Sequence, residues 1–280
     1  MGLFQPLMRG LFSPLLGPLS GGGAGTAVTY SAEAEALFAR FTTPPTTARK
    51  ALIDALIVAL KDGGVWSKID CLWMTAAADT QAARQNWKQD LYNLTPVSSP
   101  TFTADRGYTG DGATGYLDTG FAPSVHGVNF TLNSAHLAIY SLTDAQSTGI
   151  SMGSRTNSGT AHSYMTLRNL TNVATMRINQ DASSSTPAST NSSGGFVLRR
   201  SGSTAAALFR NGASLGTHAI VSTSLSTANI VIGALNTGGV VGNFNTYQFA
   251  AASIGASLTD AEITTFYNAK LAYLQAIGAS

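Results

Sequence analysis

The sequence predicts a mainly β protein, an antiparallel β-sandwich with a helical segment before it and one helix after it. Three observations predict this fold. No glutamate occurs between Leu37 and Ala261, and no lysine between Gln89 and Ala269, so the intervening surface is built from hydroxyls and amides. Roughly ten short β-branched or alternating runs, broken by Gly, Asn and Ser, fill the same region. One of them ends in Asn211-Gly212, a strong hairpin turn signal.

Bulk composition excludes several classes of function. Charged residues make up 11% of the chain, hydrophobic residues 44%, and the formal net charge is +2. Nucleic acid is therefore not expected as a partner, because phosphate binding needs a concentrated basic surface. The adjacent Arg199 and Arg200 do not form one patch, because neighbouring residues of a strand point to opposite faces. Cys71 is the single cysteine, which rules out an intramolecular disulfide.

Residues 1–30 are predicted to form an extended apolar tail followed by a Gly-rich linker. Gly2 to Met8 is echoed by Gly10 to Leu16, and the prolines forbid a continuous helix. The apolar runs are too short to span a membrane. We interpret the tail as an anchor that binds other proteins, with a disordered tail and an atypical signal sequence as the alternatives. The anchor residues are Leu3, Phe4, Pro6, Leu7, Leu11, Phe12, Pro14 and Leu15.

The stretch 31–96 is predicted to be helical. Ser31 can cap a helix from Ala32 to Arg40, and apolar spacing predicts a second helix from about Thr47 to Lys61. A third helix, from Trp66 to about Ala77, is predicted by apolar residues at spacings of three, three and one, namely Trp66, Ile69, Leu72 and Trp73. The tryptophans of the chain are Trp66, Trp73 and Trp87. Helical spacing favours core packing for the first two over an aromatic box for sugars.

The stretch 97–257 is predicted to form the sandwich. Three motifs lie in it or just after it: Gly110-Asp111-Gly112 with Tyr116-Leu117-Asp118, then Leu208 to Gly212, then Ile230 to Gly233 with Phe249 to Ile254 and Ser257 to Ile263. In this order they resemble the concanavalin A-like (laminin-G-like) jelly-roll family. The resemblance covers about residues 100–275 and implies a lectin-like sandwich.

The whole chain also resembles tail or fibre components of bacteriophages and prophages. The resemblance is carried by the Thr/Pro/Arg/Lys-containing helix, the Asn86-Trp87 step and the unit Asp105 to Tyr108. It implies a structural protein of the virion, located at the particle surface. The expected partners are other virion proteins, bound through residues 1–20, further copies of this chain in a homo-oligomer, and a host-surface polysaccharide. The alternative is a purely architectural capsid or tail decoration protein without a host ligand.

Residues 258–280 are predicted to form a C-terminal helix. Thr259 and Glu262 match a capping box. An apolar face follows, which needs a hydrophobic partner, either the helical segment or a neighbouring subunit. Its members are Ile263, Phe266, Tyr267, Leu271, Leu274 and Ile277.

The sequence does not predict a catalytic site. Glycoside hydrolysis uses two carboxyl groups a few ångströms apart, yet Glu33, Glu35 and Glu262 all lie outside the predicted strands. Aspartates beside glycines favour turn roles, with a calcium site as the alternative. These aspartates are Asp105, Asp111 and Asp118. No cofactor is expected.

A glycan, if bound, is expected in the loops of the sandwich. The stretch from Gly153 to Gly195 is dense in Ser, Thr and Asn, and Arg155, His162 and Tyr164 are interspersed in it. Hydroxyls, amides and planar rings recognise sugars by hydrogen bonding and stacking. We take these three as candidate ligand-binding residues. The alternative is a set of solvated loops, and the polar stretch from Asp181 to Gly195 is expected to be exposed.

Overall fold

The computed structural model describes residues 28–181 and 185–279. The predicted anchor tail and most of the predicted linker lie outside the described residues. Two β-sheets pack face to face, and helices cover the outer face of one of them. The predicted mainly β sandwich with an N-terminal helix and a C-terminal helix is confirmed. Within the described residues, no helix has the length and apolar character needed to cross a membrane.

The α-helices of the described residues are α1 Ala32–Phe38, α2 Thr47–Asp62, α3 Pro123–His126 and α4 Asp260–Ala276. All but the short α3 begin at a side-chain cap that the sequence supplies. Ser31 and Thr46 accept hydrogen bonds from backbone N–H groups in the first turns of α1 and α2. At α4, the Thr259 hydroxyl and the Glu262 carboxylate form the predicted capping box. Glu262 also contacts Lys68, at 2.7 Å.

The strands of the described residues are numbered in chain order. They are β1 Ile69–Trp73, β2 Thr95–Val97, β3 Thr101–Thr103, β4 Gly107–Thr109, β5 Tyr116–Asp118, β6 Ala135–Ser141, β7 Met152–Arg155, β8 His162–Thr166, β9 Thr175–Gln180, β10 Gly194–Gly202, β11 Ala205–Arg210, β12 Ala213–His218, β13 Val231–Ile232, β14 Leu235–Thr237, β15 Val240–Gly242 and β16 Gln248–Gly255.

The first sheet has the order β12-β11-β10-β6-β16-β4-β3, and β1 pairs with β16. The second sheet has the order β15-β14-β7-β13-β5-β2, and β8 and β9 continue it from β7. The pairs are antiparallel except for β14 with β7, which run parallel. The strands β7, β8 and β9 therefore form a continuous antiparallel ribbon, and this ribbon carries the candidate residues.

Two apolar layers hold the sandwich together. One lies between the sheets and includes Leu137, Met165 and Phe196. The other lies between the first sheet and α1, α2 and α4, where Phe266 is fully buried and Leu271 is partly buried. The C-terminal helix thus packs on α2 and on the sheet in the same chain.

The prediction of a third helix from Trp66 to about Ala77 is wrong. Trp66–Lys68 form a single 3₁₀ turn, and Ile69–Trp73 form β1. All five residues of β1 are buried, because β1 lies against β16 between the two apolar layers. A short run that is apolar on every side fits either a buried strand or a helix, and its pairing with a distant strand decides which one forms. The expected core packing of Trp66 and Trp73 is confirmed.

Candidate functional site

The outer face of the second sheet is not covered by the long helices. Within the described residues, no strand of this sheet contributes to the apolar layer around α1, α2 and α4. The strand register shows which side chains share this face. Met152, Met165 and Met176 face the core, so the alternate residues Tyr164 and Arg177, which pair with each other, face outward.

The outer face brings together the three candidate residues predicted from the sequence. Arg155 ends β7, and His162 and Tyr164 lie on β8. The ring centroids of His162 and Tyr164 are 5.7 Å apart. Arg177 of β9 joins them, with its guanidinium 5.5 Å from the Tyr164 ring centroid and its Nη1 2.8 Å from His162 Nδ1.

The expected loop position of these residues is wrong. They lie on strands, and His162 is 1% and Tyr164 8% exposed. Tyr164 packs with Ile150 and Leu235 in a small apolar cluster separate from the main core. Arg155 is half-buried and donates from Nε to the Thr237 hydroxyl at 2.9 Å. Of the three, Arg155 is therefore the one that solvent reaches most easily.

His162 is neutral at neutral pH. Burial, together with the positive charges of Arg177 and Arg155, lowers its pKa to about 4, although the Asp181 carboxylate acts in the opposite direction. A guanidinium can only donate hydrogen bonds, so His162 Nδ1 accepts from Arg177 and the ring proton lies on Nε2. The cluster thus presents two fixed positive charges around a neutral imidazole.

A polar hollow of about 340 Å³ lies beside this cluster. Its lining consists of hydroxyl, amide and backbone groups, from Thr227, Ala228, Asn229, Asn236, Gly238 and Gly239. The Asn236 side chain fixes its shape, since Nδ2 donates to the Asn229 carbonyl and Oδ1 accepts from the Gly239 N–H. The Gly238 N–H donates to the Arg155 carbonyl at 3.0 Å, which joins the hollow to β7.

Two glycines allow the chain to close around the hollow. Gly238 and Gly239 both have positive φ values, of 57° and 98°. A side chain at Gly238 would also approach the Thr156 carbonyl, since a Cβ built there lies 2.6 Å from that oxygen. The turn that borders the hollow therefore needs glycine at this position.

Two of the three aspartates, Asp111 and Asp118, have the turn roles that the sequence predicts, whereas the Asp105 side chain forms an ion pair instead. The Asp111 carboxylate accepts from the N–H groups of residues 113–115, and these bonds hold its pKa well below the usual range. Asp118 accepts from the Gly120 N–H and from Asn229 Nδ2. Asp105 pairs with Arg49 at 2.8 Å. In the described ranges, no three His, Cys, Asp or Glu side chains gather in a way that could hold a metal ion.

The expectation that the polar stretch from Asp181 to Gly195 is exposed is wrong for two serines. Ser189 and Ser192 are buried, and their hydroxyls donate to backbone carbonyls. Ser192 bonds the carbonyls of Thr143 and Ala145, both at 2.9 Å. A serine-rich segment can be buried when each serine hydroxyl forms a hydrogen bond with a backbone group that would otherwise have no partner.

Comparison with known proteins establishes the fold alone. No protein-family model and no curated protein matches the sequence. A mutant of Trypanosoma rangeli sialidase displaying trans-sialidase activity matches with a TM-score of 0.55 and 12% identity, over 80% of this chain and 39% of that chain. The binding domain of botulinum neurotoxin serotype D matches with a TM-score of 0.50 and 10% identity, over 74% of this chain and 53% of that one.

The chain thus spans about two fifths of the sialidase and about half of the toxin domain. A third match, the CBM40 of Ruminococcus gnavus IT-sialidase bound to alpha2,6 sialyllactose, covers 63% of this chain and 99% of its own at 12% identity. Its TM-score of 0.44 is too low to add to the argument. The β-sandwich is confirmed as the fold.

Sequence reasoning missed Arg177, Asn229 and Asn236. Arg177 had a readable signal, because it alternates with Met176 and Ile178 and so faces away from the core. Asn229 and Asn236 had no readable signal in the sequence. They meet because β13 and β14 pair with the same edge of β7, and this register depends on distant residues.

Proposed function

We propose that the protein binds a carbohydrate in the polar hollow beside β7 and β14. The observation that supports the proposal best is the hollow itself, a concave site lined by hydroxyls and amides on a lectin-like sandwich. Sugar hydroxyls need donors and acceptors at fixed positions. Thr227 and Asn229 supply them from a partly exposed surface, and Asn236 holds the backbone around them.

Arg155, His162 and Tyr164 take different parts in this proposal. Arg155 lies at the rim, where its half-buried guanidinium can reach a bound sugar. His162 and Tyr164 are too buried to touch a ligand at the surface. Both contact Arg177, so we assign them the task of holding its guanidinium in place.

Binding without hydrolysis fits the positions of the carboxylates. Glu33 pairs with Lys61 on α2, and Glu262 pairs with Lys68 beneath the start of α4. Both lie on the helical side of the first sheet, away from the hollow. None of the described residues that line the hollow carries a carboxylate, and Asp118 is joined to the lining through its hydrogen bond with Asn229. A single carboxylate that is already bonded to a turn does not provide the pair that glycoside hydrolysis uses.

The setting we propose is the surface of a bacteriophage particle, in a tail or fibre. The motifs described above support this, as does the apolar repeat within residues 1–20, which we assign to contacts with other virion proteins. The sandwich, in several copies, would then display its hollow to a host-surface polysaccharide. A purely architectural decoration protein is the competing function. Detection of the chain in purified particles tests the setting, and glycan binding separates the two functions.

The first test is binding of the purified full-length protein to an array of bacterial surface polysaccharides. We expect retention on at least one glycan, and a loss of about tenfold or more in the Asn229→Ala variant, because two or more hydrogen bonds to sugar are removed or misplaced. Arg155→Ala should weaken binding by a smaller factor.

Asn133→Ala is the matched control, since Asn133 is an exposed asparagine that does not line the hollow. Thermal unfolding of each variant shows whether the fold is retained. Equal binding by Asn229→Ala and Asn133→Ala would move the site elsewhere. Failure of the intact protein to bind any glycan would favour the architectural function.

A further inference from the structure

Two arginines share the outer face of the second sheet. Arg155 is the last residue of β7, and Arg177 lies on β9. On the same two strands, Met152 and Met176 face the core. Both arginines stand at odd spacings from these methionines, so both side chains point to the outer face. Each is half-buried, which leaves part of the side chain in contact with solvent. We call these two residues the arginine pair.

The strand β8 brings the arginine pair together at His162. The register pairs Ser154 of β7 with Ser163 of β8. Arg155 and His162 are next in this register and therefore lie opposite each other, with their Cβ atoms about 5 Å apart. Arg177 contacts the same histidine from β9, with Nη1 2.8 Å from His162 Nδ1. Both positive charges act on the imidazole and lower its pKa, so both guanidinium groups lie close to it.

The protein does not neutralise the arginine pair. Within the described residues, no carboxylate forms an ion pair with Arg155 or Arg177. Arg155 donates to the Thr237 hydroxyl, and Arg177 donates to a neutral imidazole. The nearby Asp181 carboxylate accepts from the Ala161 N–H instead. In this part of the described structure, two positive charges thus stand side by side with uncharged partners.

Other half-buried arginines of the chain have stronger acceptors. Four of them pair with aspartates, namely Arg40, Arg49, Arg168 and Arg199. Arg84 and Arg210 donate to backbone carbonyls. Among the half-buried arginines that the structure describes, the arginine pair is therefore set apart, because it has neither a carboxylate nor a carbonyl as acceptor.

These unpaired guanidinium groups define the chemistry of a ligand. A guanidinium presents parallel N–H groups that bind the two oxygens of an anion in a fork. A carboxylate and a phosphate both fit this fork, and both supply the negative charge that the arginine pair lacks. Partial burial strengthens the attraction, because opposite charges attract more strongly where water is partly excluded. The arginine pair therefore fits an anionic group.

The arginine pair and the polar hollow are neighbours on β7. Arg155 donates from Nε to the hydroxyl of Thr237, the residue that precedes Gly238 of the hollow. The Arg155 carbonyl accepts from the Gly238 N–H at 3.0 Å. A ligand that extends from the hollow along β7 thus meets Arg155 first and Arg177 behind it.

We infer that the glycan bound by this protein is acidic, and that Arg155 and Arg177 bind its anionic group while the hollow binds neighbouring hydroxyls. This assignment rests on the proposed function, since it names the class of glycan for the same site. His162 contributes by accepting from Arg177 as a neutral ring, which holds the guanidinium without cancelling its charge. The anionic group is a sugar carboxylate or a phosphate substituent.

Binding of the full-length protein to acidic polysaccharides and to their neutral derivatives tests the inference. A uronic-acid polysaccharide is compared with its carboxyl-reduced form, and a phosphorylated polysaccharide with its dephosphorylated form, which separates the two sources of charge. We expect one acidic form to bind at least about tenfold more tightly than its neutral derivative. Raising NaCl from about 0.05 M to about 0.5 M should reduce this preference, because salt screens exposed charges.

Variants of the arginine pair assign the preference to these residues. Replacing Arg155 and Arg177 together by glutamine should lower the affinity for the acidic form by about tenfold or more and remove the preference. Arg155→Gln alone should remove part of it, and Arg155→Lys should keep more, because the charge remains and only the fork is lost. If thermal unfolding shows that the double variant does not fold, the comparison of Arg155→Gln with Arg155→Lys takes its place.

Arg106→Gln is the matched control. It removes one positive charge from an exposed arginine that donates to Gln248 and does not belong to the arginine pair. The preference for the acidic form should be unchanged in this variant. An equal loss in Arg106→Gln and Arg155→Gln would reduce the effect to the net charge of the protein and overturn the assignment.

The outcomes separate this inference from the proposed function. Equal affinities of the wild type for the acidic and neutral forms of both polysaccharides would overturn the acidic ligand and leave glycan binding standing. A preference that persists in the double variant would overturn the role of the arginine pair. Failure to bind any glycan, here and on the array, would overturn the proposed function itself and the acidic ligand with it.

Discussion

Replacing Arg200 by methionine should lower the free energy of unfolding by about 4 kcal/mol or more. Arg200 lies on β10 and is fully buried, and burial lowers its pKa. Among the described residues its guanidinium donates to uncharged acceptors, namely the carbonyls of Ile178, Gly202, Ser203 and Ile220 and the side chain of Gln180. Methionine fills much of the volume but removes the donor to the buried Ile178 carbonyl and the bonds that hold residues 202, 203 and 220 together at the strand end.

The neighbouring Arg199 provides a matched control. It points to the opposite face of the same strand, as its position in the sequence predicts, and it pairs with Asp260, whose side chain is 74% exposed. Arg199→Met should therefore cost only about 1 kcal/mol, mostly through lost packing on Phe209. Urea unfolding of both variants measures the difference. Equal losses would show that the buried hydrogen bonds of Arg200 contribute little.

The sequence predicted those elements whose signals are local. The capping box at Thr259 and the apolar spacing that follows define α4 without any knowledge of its neighbours. The same is true of α2, which begins at the Thr46 cap and ends before Gly63. The strand Ile69–Trp73 was misassigned because its structure depends on β16, which lies nearly two hundred residues later in the chain.

In the candidate site, too, local signals were predicted from the sequence and features that depend on distant residues were not. Residue chemistry singled out Arg155, His162 and Tyr164, and the strand register does place them together. Their burial could not be predicted, because it depends on Arg177 and on the cluster with Ile150 and Leu235. The hollow is less predictable still. It is formed where β13 and β14 share one edge of β7, so its shape depends on register.

Replacing Lys270 by methionine should make the protein more stable at neutral pH and reduce the dependence of its stability on pH. Lys270 lies on α4 and is 1% exposed, with its Nζ 3.7 Å from the ring centroid of Phe266. Burial lowers its pKa to about 7. The titratable group on the facing sheet is His136 of β6, whose own pKa is lowered to about 4 by burial. It is therefore neutral and offers Lys270 no opposite charge.

The direction in which stability changes with pH follows from proton linkage. The pKa of Lys270 is about 7 in the folded protein and 10.5 for an unperturbed lysine, so between these limits the unfolded chain binds more protons. Stability must then rise with pH over this window. The contribution of Lys270 alone from pH 7 to about pH 9.5 should be on the order of 3 kcal/mol. The buried Cys71 thiol, whose pKa is raised by burial, offsets about 1 kcal/mol of this gain near pH 9.5, and buried tyrosines with raised pKa values oppose it further as the pH approaches 10.

Urea unfolding at pH 7 and at about pH 9.5 measures this gain for the wild type, Lys270→Met and Lys61→Met. Lys61 is the matched control because it lies on α2 with a partly exposed ammonium paired to Glu33. The wild type and Lys61→Met should gain stability with pH, whereas Lys270→Met should start higher and gain little. If Lys270→Met is instead less stable than the wild type at pH 7 and keeps the same pH dependence, the buried ammonium is not the source of the slope. The contact with Phe266 would then stabilise the charged lysine enough to offset its burial.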